Sequence, residues 1–246
     1  MQTKNKVVSA AEWDIARKAL LVKEKELTRL RDQIARERQA LPWEAVTKTY
    51  SFDGPEGRET LSDLFDGRSQ LLVVHFMLGP GWQEGCKGCS FNADSIDGVL
   101  PHLYNHDVNL VVVSRAPLEE IARFKKRMGW KFKWVSSYNS DFNYDYKVSF
   151  KPEELNNGGV YYNYRLEKNA GEEQPGVSAF YKDENGDIFH TYSTYARGME
   201  TLTNTFNYLD IAPKGRNEGD HIMGWVRLHD MYEEQPAVTG NGNCCH

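Results

Sequence analysis

The period of the hydrophobic positions changes several times along the chain, and each change marks an element. Ser9 and Glu12 have the capping-box spacing, in which a hydroxyl and a carboxylate each satisfy an orphan amide in the first turn of a helix. Trp13, Ala16, Leu20, Leu27, Leu30 and Ile34 then recur at three- and four-residue steps, broken only at Lys23, until Leu41-Pro42 ends the pattern. This predicts a long N-terminal helix with a narrow apolar stripe between flanks rich in Lys, Arg and Glu. Such a stripe suits first an arm packed on its own domain, with a two-stranded coiled coil that makes the protein a homodimer as the sharper alternative. The pattern leaves both open.

From Thr47 the period shortens. Thr49-Tyr50-Ser51-Phe52 reads as a strand before the turn Asp53-Gly54-Pro55-Glu56-Gly57, and Leu61, Leu64 and Phe65 as one helical turn ending near Gly67. The run from Gln70 to Leu78 is apolar on both faces, as a central parallel strand covered by helices must be. Cys86 leads into a helix predicted to continue through Phe91, Ile96, Val99 and Leu100 up to Pro101. Asp107 to Ser114 is a second buried strand, and Pro117 opens a helix from Leu118 to Met128 that Gly129 stops. Strand, helix, strand, helix implies a right-handed parallel crossover. Lys131 to Ser136 reads as a further strand, and Lys151 to Pro175 as a polar, irregular insertion or lid. Val177 to Tyr181 and Ile188 to Tyr192, joined by Asp183-Glu184-Asn185-Gly186, form an antiparallel hairpin, and a helix around Met199 to Leu209 closes the unit. The expected organisation is a helical arm (1–46), an α/β domain (47–232) and a flexible tail (233–246).

Composition narrows the function. With 246 residues, 40 % hydrophobic and 26 % charged, the chain can bury a core without disulfide staples. Its longest apolar run, Leu71 to Leu78, is too short to span a bilayer, and its first residues lack the apolar segment of a secretory signal, so the expected address is the cytoplasm, away from membranes. Residues 1–48 carry eleven Lys/Arg against seven Asp/Glu, whereas the whole chain has a net charge of −5. The main body is therefore acidic and repels phosphate backbones, which argues against nucleic acid as a partner. No glycine loop suited to cradling phosphate and no nucleophile elbow occurs, and no cofactor is expected.

The cysteines carry the chemistry. Cys86-Lys87-Gly88-Cys89 falls where a buried strand ends and a helix begins, and binding sites in open α/β sheets collect at the carboxyl ends of strands. A helix N-terminus favours thiolate over thiol, and Lys87 is expected to push Cys86 the same way. Cys89, one turn deeper, is expected to be more buried and less ionised. That asymmetry suits a pair in which Cys86 attacks a disulfide and Cys89 resolves the mixed disulfide. The alternatives are structural zinc completed by Cys244-Cys245-His246, at a spacing poorly suited to zinc, or an inert buried pair on a non-catalytic binding module.

The order strand, C-x-x-C helix, strand, helix, proline-led hairpin, helix resembles the thioredoxin fold: a mixed central sheet flanked by helices. Pro175, in Gln174-Pro175-Gly176-Val177, matches that fold's cis-proline, which would place it beside the dithiol with the backbone at Gly176 free to pair with substrate. At longer range the chain resembles a bacterial family of unknown function described as predicted dithiol-disulfide oxidoreductases. The segments that carry this include His75-Phe76-Met77, Cys89-Ser90-Phe91, Ser114-Arg115-Ala116-Pro117, Met128-Gly129-Trp130, Trp134-Val135-Ser136-Ser137 and Phe189-His190-Thr191-Tyr192-Ser193. The resemblance implies a thiol-disulfide oxidoreductase acting on a protein or small-molecule disulfide, with Pro175 and Gly176 on the substrate side; Trp82 and Lys87 near the dithiol, and Arg115 at the carboxyl end of a strand, are the other candidates for contact with substrate. Two departures from ordinary thioredoxins are Gly88, in place of the proline before the second cysteine, and Trp82, four residues before Cys86. A thiol peroxidase of the peroxiredoxin type is the alternative enzyme, although Pro80 stands one residue too close to Cys86 and no threonine lies between them.

Overall fold

The computed structural model describes residues 5–232, and it separates into a unit ending at Trp43 and a second beginning at Glu44. The tail cysteines Cys244 and Cys245 lie outside the described residues. The first unit is one helix, α1 (Ala10–Gln39), started by the expected capping box: the Glu12 amide donates to Ser9 Oγ at 3.3 Å and the Ser9 amide to Glu12 Oε2 at 3.0 Å. No residue of α1 is buried.

In the second unit, β1 (Glu44–Ala45) precedes a hairpin of β2 (Ser51–Gly54) and β3 (Gly57–Thr60). The first crossover runs from β4 (Gln70–His75) through α2 (Lys87–Ala93) and α3 (Ile96–Asn105) to β5 (Val108–Ser114). The next runs through α4 (Leu118–Met128) to β6 (Trp134–Ser136). Short helices α5 (Phe142–Asp145) and α6 (Pro152–Leu155) lead to a small hairpin, β7 (Val160–Tyr162) and β8 (Arg165–Glu167). The long hairpin β9 (Gly176–Lys182) and β10 (Ile188–Tyr195) is followed by a 3-10 segment, Ala196–Leu202, and α7 (Asn204–Ile211).

The main sheet has the order β1-β10-β9-β4-β5-β6-β2-β3, with β4, β5 and β6 parallel and the β9–β10 hairpin antiparallel beside β4. This is the expected thioredoxin-like architecture. The two sheet faces explain why β4 and β5 read as unbroken apolar runs. Val74, Phe76 and Val112 face Ile121 and Phe124 of α4, while Leu71, Val73, Val111 and Val113 face Leu64, Phe65 and Phe142. Burial of both faces of a strand leaves no position for polar alternation.

Three expectations change. The helix foreseen from Cys86 to Pro101 breaks at Asp94 and Ser95, where Ser95 Oγ donates back to Asn92 O at 2.9 Å and the Asp94 carboxylate accepts from Trp130 Nε1 at 2.8 Å. Pro101 then falls inside α3, where its missing N–H costs one backbone bond without ending the helix. The polar stretch 151–175 is structured, with Val160 and Tyr162 packed on Val148, Phe150 and Tyr195 in a core of their own. Residues 44–46, assigned to the arm, belong to the sheet, because Glu44 and Ala45 pair with His190 and Phe189 and the Val46 amide donates to Ile188 O at 2.8 Å.

Candidate active site

The loop after β4 is tied down before it reaches the dithiol. Gly81 N donates to Glu120 Oε2 at 2.9 Å, Arg127 pairs with Glu84 at 2.6 Å, and Cys86 N donates to Met77 O at 3.0 Å. At Gly85 the backbone runs against an aromatic wall, since a Cβ there would lie 2.5 Å from Phe76 and 2.7 Å from Phe124. Only glycine fits, and Cys86 is thereby placed at the N-cap of α2, where Ser90 N and Oγ both donate to its carbonyl at 2.9 and 3.0 Å.

The two thiols differ as their positions require. Cys86 is partly exposed, and its sulfur accepts hydrogen bonds from the Cys89 thiol and from the Cys89 and Gly88 amides; these outweigh burial and lower its pKa to about 6. Cys89 is buried, and its pKa is pushed up: ionisation would forfeit the bond it donates to Cys86, leave a charge out of water and set two thiolates side by side. Both cysteines are free thiols.

A cavity of about 270 Å³ opens beside the pair, walled by Pro175, Met199, Phe206, Ile222 and Met223. Two of its residues, Ala196 (φ 47°) and Met223 (φ 59°), hold the left-handed backbone conformation, which is uncommon outside glycine and concentrates at functional sites. Gly88 has a local use here. A Cβ on it would stand 3.3 Å from the Met223 methyl, so the glycine between the cysteines leaves room for that side chain on the cavity wall.

The residues expected on the substrate side part company. Pro175 lines the cavity, but its peptide is not cis: no cis bond occurs among the described residues, and the cis-proline argument falls. Gly176 is buried between β4 and β10, opposite His75 and Tyr195, where a Cβ would meet the Tyr195 ring at 2.8 Å, so it offers no open edge. The neighbouring backbone is also occupied, with Gln174 N donating to Val148 O and Tyr162 OH donating to Pro175 O, at 2.8 and 2.7 Å. Lys87 is exposed and is not among the groups that lower the Cys86 pKa; hydrogen bonds do so instead. Arg115 is committed to Glu173 at 2.6 Å, whose other oxygen accepts from Ser149 Oγ at 2.7 Å. Burial nevertheless raises the Glu173 pKa. Trp82 lies against Gly79 and outside the cavity lining.

Met199, Phe206, Ile222 and Met223 went unforeseen, and no spacing in the sequence singles them out. His190 ends a chain that runs from its Nε2 to Ser193 Oγ, on to Ser178 Oγ and then to His75 Nε2, at 2.7, 2.8 and 2.9 Å. The His75 ring packs near Phe142 and Tyr146, on the sheet face opposite the dithiol, and burial lowers its pKa to about 3. Among the described residues, no group of three or more His, Cys, Asp or Glu could hold a metal ion.

A family model described as bacterial protein of unknown function (DUF899) matches residues 2–232. The chain belongs to this family. Its sequence matches no curated protein. Solved structures similar to this DUF899 chain include a cysteine variant of PrxQ from Xylella fastidiosa, at 13 % identity and a TM-score of 0.41, covering 65 % of this chain and 89 % of that one. Peroxidoxin BcpB from Mycobacterium tuberculosis aligns at 12 % identity and 0.43, covering 68 % and 96 %. A protein described as a thiol:disulfide interchange protein DsbE, from Chlorobium tepidum, aligns at 13 % and 0.40, covering 67 % and 97 %. No helix among the described residues is long and apolar enough to cross a membrane.

Proposed function

We propose that the protein is a thiol-disulfide oxidoreductase with Cys86 as nucleophile and Cys89 as resolving thiol. The observation that carries this reading is the division of labour within the pair: one thiol of low pKa open to a cavity, the other buried, protonated and hydrogen-bonded to it. The Cys86 thiolate attacks one sulfur of a substrate disulfide; the S–S bond breaks and the other sulfur leaves with the electron pair. Cys89 then gives up its proton and attacks Cys86 Sγ, which releases the second substrate sulfur. Two protein thiols become a disulfide and one substrate disulfide becomes two thiols. A thiolate near neutral pH makes the first step fast, and a protonated Cys89 cannot compete for the substrate.

The test uses dipyridyl disulfide on the full chain carrying Cys244→Ser and Cys245→Ser. The parent should release two equivalents of thione, whereas Cys89→Ser should release one and retain a mixed disulfide at Cys86. Cys86→Ser should react at least tenfold more slowly. Equal rates for the Cys86→Ser and Cys89→Ser proteins would end the assignment of roles.

A further inference from the structure

We infer that the cavity beside the dithiol selects small disulfides bearing an apolar group, in preference to charged peptides and to protein segments bound by strand pairing. This rests on the redox reading above and adds the substrate class. Three observations converge. First, the walls are apolar where a substituent on the attacked sulfur would lie: Cys86 shares the cavity with Met199, Phe206, Ile222, Met223 and Pro175. At about 270 Å³ the space is near the lower end of ligand pockets, large enough for a short alkyl chain or one ring and too small for a folded segment.

Second, the polar side chains that also line the cavity, Asn92, Thr203, Arg197 and Glu200, already have partners within the protein. Asn92 Nδ2 donates to Thr203 Oγ1 at 3.1 Å. Arg197 Nε donates to Glu200 Oε1 at 2.7 Å, and Arg216 Nη1 reaches Glu200 Oε2 at 3.3 Å. A charged substituent seated among the apolar walls would lose water, which is unfavourable, and the charged lining residues Arg197 and Glu200 are already paired with each other.

Third, the edge that would bind an extended peptide is filled. The Gln174 amide and the Pro175 carbonyl are spent on Val148 and Tyr162, and Gly176 sits within the sheet between β4 and β10. Strand addition needs unpaired backbone groups, and the Gln174 amide and Pro175 carbonyl are not available for it.

The chemistry is the exchange already written: the apolar half of the disulfide rests in the cavity as Cys86 attacks its sulfur, and the other half leaves as a thiolate. Burying two or three methylenes in the cavity during the attack corresponds to a rate gain of about 15- to 60-fold. The experiment is stopped-flow oxidation of the reduced chain, carrying Cys244→Ser and Cys245→Ser, by dibutyl disulfide, bis-hydroxyethyl disulfide, glutathione disulfide and insulin. Each rate is divided by that of the same disulfide with free mercaptoethanol, which removes intrinsic reactivity. The normalised rate for dibutyl disulfide should exceed those for the other three by at least tenfold. Ile222→Asp, at an exposed wall position, should cut the dibutyl rate at least fivefold, while circular dichroism and the Cys86 alkylation rate report on fold and thiolate. A glutathione or insulin rate equal to or above the dibutyl rate overturns the inference and leaves the redox reading standing. Reaction with none of the disulfides overturns both. Oxidation by butyl hydroperoxide without reaction of any disulfide likewise overturns the inference and replaces the disulfide step.

Discussion

Removing the Cys89 side chain should raise the pKa of its neighbour. The largest influence holding Cys86 near a pKa of about 6 is the hydrogen bond from the Cys89 thiol, ahead of the Cys89 and Gly88 amides that Cys89→Ala leaves in place. A hydrogen bond to a charged group contributes about 1.5–3 kcal/mol, and about 1.4 kcal/mol corresponds to one pKa unit, so the variant should titrate about one to two units higher. At pH 6.5 the ionised share should drop from about three-quarters to between about a quarter and a few per cent. Iodoacetamide alkylation across pH, followed by mass spectrometry of the Cys86 peptide, reads this directly as a fall of about 3- to 25-fold at that pH. Cys89→Ser keeps a donor and should stay closer to the parent. If Cys89→Ala titrates like the parent, the thiol–thiol bond is not what makes Cys86 acidic, and the account of the pair is wrong.

Other perturbations test the surroundings. Lys87→Ala should leave the alkylation profile of Cys86 in place, because the lysine is exposed and takes no part in lowering its pKa; a rise comparable to that in Cys89→Ala would contradict this. Arg115→Ala strands Glu173, only 2 % exposed, without its ion-pair partner and should cost about 3–5 kcal/mol in urea unfolding, whereas a loss under 1 kcal/mol would mean the pair is not structural. Gly85→Ala forces a methyl into Phe76 and Phe124 and should cost about 1–3 kcal/mol. The same variant should slow Cys86 alkylation by shifting the start of α2; an unchanged melting temperature would show that the loop yields easily.

What could be read from the chain follows from where its information is local. Two buried strands and the C-x-x-C between them were legible, because a strand covered on both faces leaves an apolar run that nothing else in the sequence imitates. The break at Asp94 was not legible, and the partners of its carboxylate, Trp130 and His229, come from distant positions in the chain. The cavity wall was equally hidden: Met199 lies in a 3-10 segment and Met223 in an irregular stretch, neither with a period to follow. At Pro175 the resemblance implied a geometry that the described residues do not adopt, while the placement beside the dithiol held. Lys87 shows a different failure, in which charge and proximity in sequence suggested a role that hydrogen bonds fill.

The central claim is that Cys86 and Cys89 cycle between dithiol and disulfide. Its most direct measurement is to equilibrate the full chain, purified without chelator, in glutathione redox buffers, count thiols, map disulfides by mass spectrometry and assay metal on the same samples. The account predicts a Cys86–Cys89 disulfide that forms and is reduced reversibly as the buffer potential changes, with no stoichiometric metal. One zinc retained per chain, with Cys86 and Cys89 resistant to oxidation across the same range, would contradict it.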